Sequence, residues 1–273
     1  MKLKHLPYLL GRKPIPQKFG FKTLSFDLPK DGAIQYAQWL HPRSYHKPIL
    51  QETVDALRTF LSPGDVAIDI GAHAGDFTVP IALAVGPTGS VLAFEPNPYV
   101  FPVLAANAAL NLEKTHIIPM MYAATPQDGE IEFEYSDSGF CNGGRHDGMS
   151  KWLHGHVFRL TVQGRNLETL LRNNYAELLP RLRYLKVDAE GYDLTVLRSL
   201  ENLIREFHPH INAEVFKWAT REMRLDLFTF LKSHNYTIRR VAGDSNYLGE
   251  LLTERDLMRW RHYDLFAIPK SPK

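Results

Sequence analysis

Val66-Ala67-Ile68-Asp69-Ile70-Gly71-Ala72-His73-Ala74-Gly75-Asp76-Phe77-Thr78 is the stretch on which the fold turns. A short apolar run, broken by one carboxylate, leads into a glycine-containing turn, and a helical pattern follows. Such a run, stopped by glycine, is the pattern of a strand buried on both faces. The glycines let the backbone approach a flat ligand with no Cβ in the way. Working outward, Ser90 to Glu95 and His116 to Met121 read as two further strands, with helices over Asp76 to Val85 and Pro98 to Asn111. Upstream, Pro48 to Leu61 places Ile49, Val54, Leu57 and Leu61 on one side of an amphipathic helix. Alternation of this kind predicts a parallel sheet with helices on both faces.

The alternation breaks once. Glu130 to Tyr135 and Val157 to Val162 read as strands flanking Ser136 to Ser150, which is rich in Gly, Ser, Asp and Asn. The spacing predicts a small β insertion over about 129–163, with a mobile loop too poor in apolar residues to be core. Helices then follow over Leu167 to Leu179, Leu194 to Phe207 and Leu225 to His234. Strands are expected over Tyr184 to Val187, His210 to Val215, Tyr236 to Val241 and Tyr263 to Ile268. One α/β domain over 48–273 is expected, after an N-terminal extension over 1–47. That extension holds Pro7, Pro14, Pro16, Phe19, Phe21, Phe26 and Trp39 without clean periodicity, so it is expected as irregular chain, either packed on the core by its aromatics or serving as a substrate-side lid. It and the Ser136 to Ser150 loop are the parts expected to contact the acceptor.

Composition narrows the class. A chain of 273 residues, 44% hydrophobic, has enough apolar content for one large core. A formal net charge of +2 is too small to suggest a nucleic-acid partner, so none is expected. Cys141, alone, makes no intramolecular disulfide, which fits a reducing compartment. Leu6 to Leu10 is too short for a signal-peptide core, and no apolar run reaches a membrane span. A cytoplasmic protein is the expectation.

The turn also carries a ligand preference. Gly71 to Gly75 lacks the closely spaced Gly-x-Gly that admits a pyrophosphate, which disfavours a nicotinamide dehydrogenase. Asp69 just before the turn repels phosphate but suits a ligand with an ammonium and a sulfonium. At the end of the second strand, Glu95 is placed to accept both hydroxyls of an adenosine ribose. S-adenosylmethionine has these features.

Three segments, Asp69 to Gly75, Phe94-Glu95-Pro96-Asn97-Pro98 and Leu185-Lys186-Val187-Asp188-Ala189-Glu190-Gly191, match a known pattern in order and spacing. Over roughly Leu57 to Val215 the chain resembles the FkbM family of methyltransferases, within the class I superfamily. The Asp-Ala-Glu-Gly segment is the most diagnostic. His73 stands where the family usually has Asn. The resemblance implies a Rossmann-like fold, with a mostly parallel seven-stranded sheet whose last strand is antiparallel. It also implies S-adenosylmethionine-dependent O-methylation of a sugar, polysaccharide or natural-product hydroxyl. The alternatives are a non-catalytic nucleotide-binding α/β module, or a methyltransferase on another acceptor class.

The expected cofactor residues are Asp69, Gly71, Ala72, His73, Gly75, Phe77, Thr78, Glu95, Pro96, Asn97, Asn142 and Asp188. An alcohol acceptor needs a base. Asp188, Glu190 and Glu214 at strand ends are the candidate catalytic carboxylates, and paired carboxylates can also hold a divalent ion such as magnesium. Asp188 and Glu190, two apart, share a face if the strand persists; the alternative is that Glu190 caps the following helix. His146, His154 and His156 lack zinc-site spacing, although one of them can serve as a base. Asn142-Gly143-Gly144 is either a turn over the cofactor or a plain flexible turn. Asn97-Pro98-Tyr99 is similar to a signature of base N-methylation, but it follows the wrong strand, so that chemistry is rejected.

Overall fold

The computed structural model describes residues 7, 10–13, 15–144, 158–243 and 245–270. The N-terminal segment contains an antiparallel hairpin, β1 (Phe21–Leu28) and β2 (Gly32–Trp39), rather than the irregular chain expected. The overlooked signal is Pro29-Lys30-Asp31-Gly32, a short turn that closes on a left-handed glycine. α1 (Gln51–Leu57), β3 (Val66–Ile70), α2 (Thr78–Val85), β4 (Ser90–Phe94), α3 (Phe101–Ala109) and β5 (Ile117–Met120) follow. The insertion contributes β6 (Ala123–Ala124), β7 (Gly129–Tyr135), β8 (Gly143–Gly144) and β9 (Phe158–Arg165). The remainder is α4 (Leu167–Asn174), β10 (Leu182–Val187), α5 (Asp193–Ser199), α6 (Glu201–Phe207), β11 (His210–Val215), α7 (Arg221–Ser233), β12 (Tyr236–Arg240) and β13 (Tyr263–Pro269). The single helix expected over Leu194 to Phe207 divides at Leu200, whose ψ of 13° leaves helical geometry.

The central sheet has seven strands in the order β12-β13-β11-β10-β3-β4-β5. β13 is antiparallel to both its neighbours, β11 and β12, and the β10–β11, β10–β3, β3–β4 and β4–β5 pairs are parallel. This is the Rossmann-like architecture, last strand antiparallel. The chain runs outward from β3 to β5 and then returns to β10 on β3's other side. The crevice at such a reversal, beyond the carboxyl ends of the strands, is where ligands bind in open α/β sheets.

All five residues of β3 are buried, because both faces of the sheet are covered. On one face Ile68, Ile70, Leu92, Leu185, Val187 and Ile211 pack with Leu171, Val196, Leu197, Ile204 and Leu231 from α4 to α7. On the other, Ala67, Val91, Ala93 and Tyr184 pack with Val54 and Leu57 of α1, Val79 to Val85 of α2, and Ile34 and Tyr36 of the hairpin. Asp69 shares this second face and lies over α2, which explains one charged residue in an otherwise apolar strand.

Two asparagines dock the hairpin edge. Asn107 on α3 accepts from Ala37 N at 2.7 Å and donates to Ala37 O at 3.0 Å and Ala74 O at 2.7 Å. Asn111, one turn on, repeats the pairing with Gln35 N and O, both at 2.8 Å. The two carboxamides thus stand in for a neighbouring strand along β2. Asn107 is fully buried, so Asn107→Ala leaves three backbone groups unpaired. A loss of about 2 kcal/mol of stability is expected, read by denaturant unfolding; an unchanged midpoint would mean that water replaces the carboxamide freely.

The insertion is a second sheet, β6-β9-β7-β8, with β7 antiparallel to β9 along its whole length. Its loop differs from the apolar-poor segment expected. Phe140 and Cys141 are buried, and Phe140 packs with Tyr135 and Phe158 and stacks on Tyr99 at 5.0 Å. The rings of Tyr135 on β7, Phe158 on β9 and Tyr99 in the turn before α3 outweigh the polar composition around them.

Candidate functional site

A cavity of about 290 Å³ opens where β3, β4 and β10 end. The Gly71 turn forms its floor. Gly71 N and Ala72 N both donate to Phe94 O at 3.0 Å, and His73 N donates to Glu95 Oε2 at 2.9 Å. The turn is therefore fastened to β4 at three successive residues. Gly71, His73 and Gly75 all have left-handed backbones, with φ of 79°, 49° and 96°. A Cβ on Gly71 would meet the Asp188 carbonyl oxygen. The glycine is thus required by a backbone of the protein itself, whereas the sequence suggested ligand clearance.

Glu95 is buried at the end of β4. Oε2 accepts from His73 N, and Oε1 accepts from Asn97 N at 2.8 Å. Burial raises its pKa, opposed by His73 and by these two backbone donors. Each oxygen retains accepting capacity toward a ligand hydroxyl. Asn97 holds the surrounding chain: Oδ1 accepts from Tyr99 N at 2.9 Å, and Nδ2 donates to Phe140 O at 2.6 Å. His73 Nε2 lies 3.2 Å from Cys141 O, and its ring meets Trp39 at 5.4 Å. Three separate parts of the chain, the Gly71 turn, the hairpin and the insertion, therefore meet at His73.

The far wall carries the carboxylates. Asp69 is fully buried. Thr78 Oγ1 donates to its Oδ2 at 2.6 Å, and Oδ1 faces Lys186 Nζ at 3.5 Å, its cross-strand neighbour. Lys186 Nζ also reaches Asp188 Oδ2 at 3.4 Å. Burial works against the Lys186 charge, but Asp188, Asp69, Asp76 and Asp264 outweigh it and raise its pKa, so the ammonium persists. The Asp188 side chain is 45% exposed and faces the cavity. β10 ends at Val187, and Glu190 sits at φ 50°, so strand alternation does not govern these two acids; both line the cavity nonetheless. Burial and then Asp188 push the Glu190 carboxyl up to about 7.

Asp193, rather than Glu190, secures the turn before α5. Its carboxylate accepts from Ala189 N at 3.3 Å and Gly191 N at 3.1 Å. β8 crosses the tip of β10 so closely that a Cβ on Gly144 would lie 2.8 Å from Glu190 Cβ. Asn142 and both following glycines border the cavity, the glycines as strand β8 rather than as the turn expected.

Of the expected residues, Gly71, Ala72, His73, Phe77, Glu95, Pro96, Asn97, Asn142, Asp188 and Glu190 line this cavity. Asp69, Gly75 and Thr78 lie behind it: Gly75 meets Leu104, and the other two support Lys186. Glu214 does not line this cavity with Asp188 and Glu190, although their charges reach it. It borders an adjoining cavity and pairs with His262 Nε2 at 2.8 Å. His146, His154 and His156 lie outside the described residues. Among the described residues, no group of three His, Cys, Asp or Glu side chains converges as a metal site would.

The extension was expected near the acceptor, but no site residue in it was named; it supplies Tyr36, Gln38, Arg43 and Lys47, and β10 supplies Lys186, also not named as one. Lys186 had a signal, a lysine inside an apolar strand two residues before a carboxylate. Its ammonium and that of Lys47 flank the Phe77 ring, 5.3 Å and 4.5 Å from its centre.

The model of the methyltransferase FkbM domain matches residues 69–238, the span that builds this cavity. The chain belongs to the FkbM methyltransferase domain family. S-adenosylmethionine is the cofactor of this domain. The chain is 27% identical, over 57% of its length, to hexuronic acid methyltransferase AglP of Haloferax volcanii, and the match spans 58% of that relative. It is 23% identical to methyltransferase sdnD of Sordaria araneosa, over 65% of this chain and 75% of that one. The crystal structure of methyltransferase FkbM from Methylobacillus flagellatus superposes with a TM-score of 0.48 at 15% identity, covering 76% of this chain and 44% of that one. No helix among the described residues is long and apolar enough to cross a membrane.

Proposed function

We propose that the chain O-methylates a hydroxyl of a saccharide or natural product, with S-adenosylmethionine held in the cavity at the Gly71 turn. The residues present suit that cofactor. Glu95 offers a buried carboxylate with free accepting capacity for ribose hydroxyls, and Asp188 and Glu190 bring negative charge to the end where an ammonium or sulfonium would lie. Bound there, the cofactor supplies a methyl group already activated on sulfur. The chain's own task is then alignment and proton removal. The relative's printed name, a hexuronic acid methyltransferase, favours a saccharide acceptor.

Glu190 carries the reading. Its carboxyl, pushed up to about 7, lines the same cavity as Glu95, and a base works best with a pKa near the operating pH. On this reading a Glu190 oxygen takes the hydroxyl proton while Asp188, fixed by Lys186, orients the acceptor. Turnover should rise with pH through about 7 as Glu190 ionises. Glu190→Gln should flatten that limb and lower kcat by about 10²-fold, the low end for a positioned base, because Asp188 remains. A retained pH limb in the variant would remove Glu190 from proton transfer.

The activity is tested by methyl transfer from radiolabelled cofactor to a panel of glycosides and uronic acids, with and without magnesium. Incorporation into a saccharide as an alkali-stable ether supports O-methylation of a hydroxyl. A label released by mild alkali would mean methyl esterification of a carboxylate instead. Failure of S-adenosylhomocysteine to bind in calorimetry would overturn the donor reading and leave a non-catalytic module.

A further inference from the structure

Beside the cofactor cavity lies a second one, of about 310 Å³, between the turn before α5, the end of β11 and the first two turns of α7. It lies at the carboxyl end of the sheet, as the first does, and Tyr192 lines both. The wall they share is the segment from Glu190 to Tyr192, whose backbone is left-handed at Glu190 and Gly191 and pinned by Asp193. The volume is at the lower end of the about 300–1,000 Å³ typical of small-molecule sites, which suits one ring rather than an extended chain.

The chemistry of its lining is specific. Glu214 Oε1 is occupied by His262, but Oε2 is shielded from solvent and has no hydrogen-bond partner among the described residues. Burial, followed by Asp188, Glu190, Asp193 and Asp264, raises the Glu214 pKa well above the ordinary range. Thr195 adds a hydroxyl. The cation in this wall, Arg224, is consumed internally. Its guanidinium donates to the carbonyls of Phe216, Ala219, Leu257, Trp260 and Arg261, tying the segment after β11 to the one before β13. A carboxylate or phosphate would therefore meet no available positive charge in this lining, but a neutral hydroxyl would find both donor and acceptor.

We propose that this second cavity binds a neutral, hydroxyl-bearing ring of the acceptor, adjacent to the group methylated in the first cavity. The proposal rests on the saccharide reading above and specifies it: the acceptor is at least a disaccharide, whose second ring carries no charge. Tyr192 then sits between the two rings, and Glu214 serves recognition rather than proton transfer.

The test is saturation-transfer NMR with cellobiose, glucose, glucuronic acid and glucosamine, each with and without S-adenosylhomocysteine. Cellobiose is expected to bind, and glucuronic acid and glucosamine to bind no better than glucose. Thr195→Trp, which fills the cavity from α5, should weaken cellobiose by about tenfold or more while S-adenosylhomocysteine affinity stays within about twofold. Met223→Trp fills it from α7 and serves if the first variant does not fold. Glu214→Gln, which keeps an accepting oxygen, should retain cellobiose binding, whereas Glu214→Leu should lose it. Cellobiose binding unaffected by either tryptophan, glucuronic acid binding that a tryptophan variant abolishes, or no binding of cellobiose at all would each overturn the proposal. Loss of S-adenosylhomocysteine binding alone would strike the donor reading and leave the saccharide titrations readable.

Discussion

Glu95→Ala is expected to weaken S-adenosylhomocysteine binding by about 10²–10⁴-fold in calorimetry. The magnitude follows from two ligand hydroxyls each losing a bond to a buried carboxylate, at about 1.5–3 kcal/mol apiece. A second effect points the same way. His73 N and Asn97 N both donate to this carboxylate, so its removal also frees the turn and the chain that positions Phe140. Glu95→Gln separates the two contributions. The amide keeps one accepting oxygen for one backbone donor but brings an NH₂ toward the other, so an intermediate loss of about tenfold is expected. Affinity within about threefold of wild type in a folded Glu95→Ala variant would show that the nucleoside does not lie against β4.

The contrast between Glu95 and Glu214 shows what was legible in the sequence. β3 and β11 were read with their observed bounds, because each is a short apolar run stopped by a turn and buried on both faces. Glu95 was read from its distance to the glycine turn, since successive parallel strands bring their carboxyl ends to one crevice. Glu214 also ends a parallel strand, but the turn through Glu190 and Gly191 comes between it and Asp188, and no periodicity in the sequence encodes that turn. The hairpin was hidden for a different reason. The outer residues of β1 are largely exposed, so its alternation is weak, and its docking depends on Asn107 and Asn111 some seventy residues away. Arg43 and Lys47 reach the cavity only because that hairpin docks, so they became visible as site residues only with the tertiary structure.

Gly71→Ala distinguishes a glycine kept for the ligand from one kept for the fold. If the position served only ligand clearance, the alanine variant would melt as the wild type does and lose binding alone. The structure places the Asp188 carbonyl oxygen where the new Cβ must go, and φ at 79° is left-handed. The left-handed backbone costs alanine about 1–2 kcal/mol. Moving a β10 carbonyl costs about 1–3 kcal/mol more. β10 cannot yield locally, because Asp188 N donates to Ile70 O at 3.0 Å, and Lys186 is paired with Asp69 across the same two strands. The expected result is a ligand-free melting temperature lower by about 10 °C, together with weakened cofactor binding. Binding is lost because the clash pushes apart the strand ends that carry the turn and Asp188. Gly71→Val should fail to fold, since its branched Cβ is less tolerant still of a left-handed backbone. An alanine variant that melts with the wild type would mean that Asp188 can move aside, and that carboxylate would then not be the rigidly held group proposed to orient the acceptor.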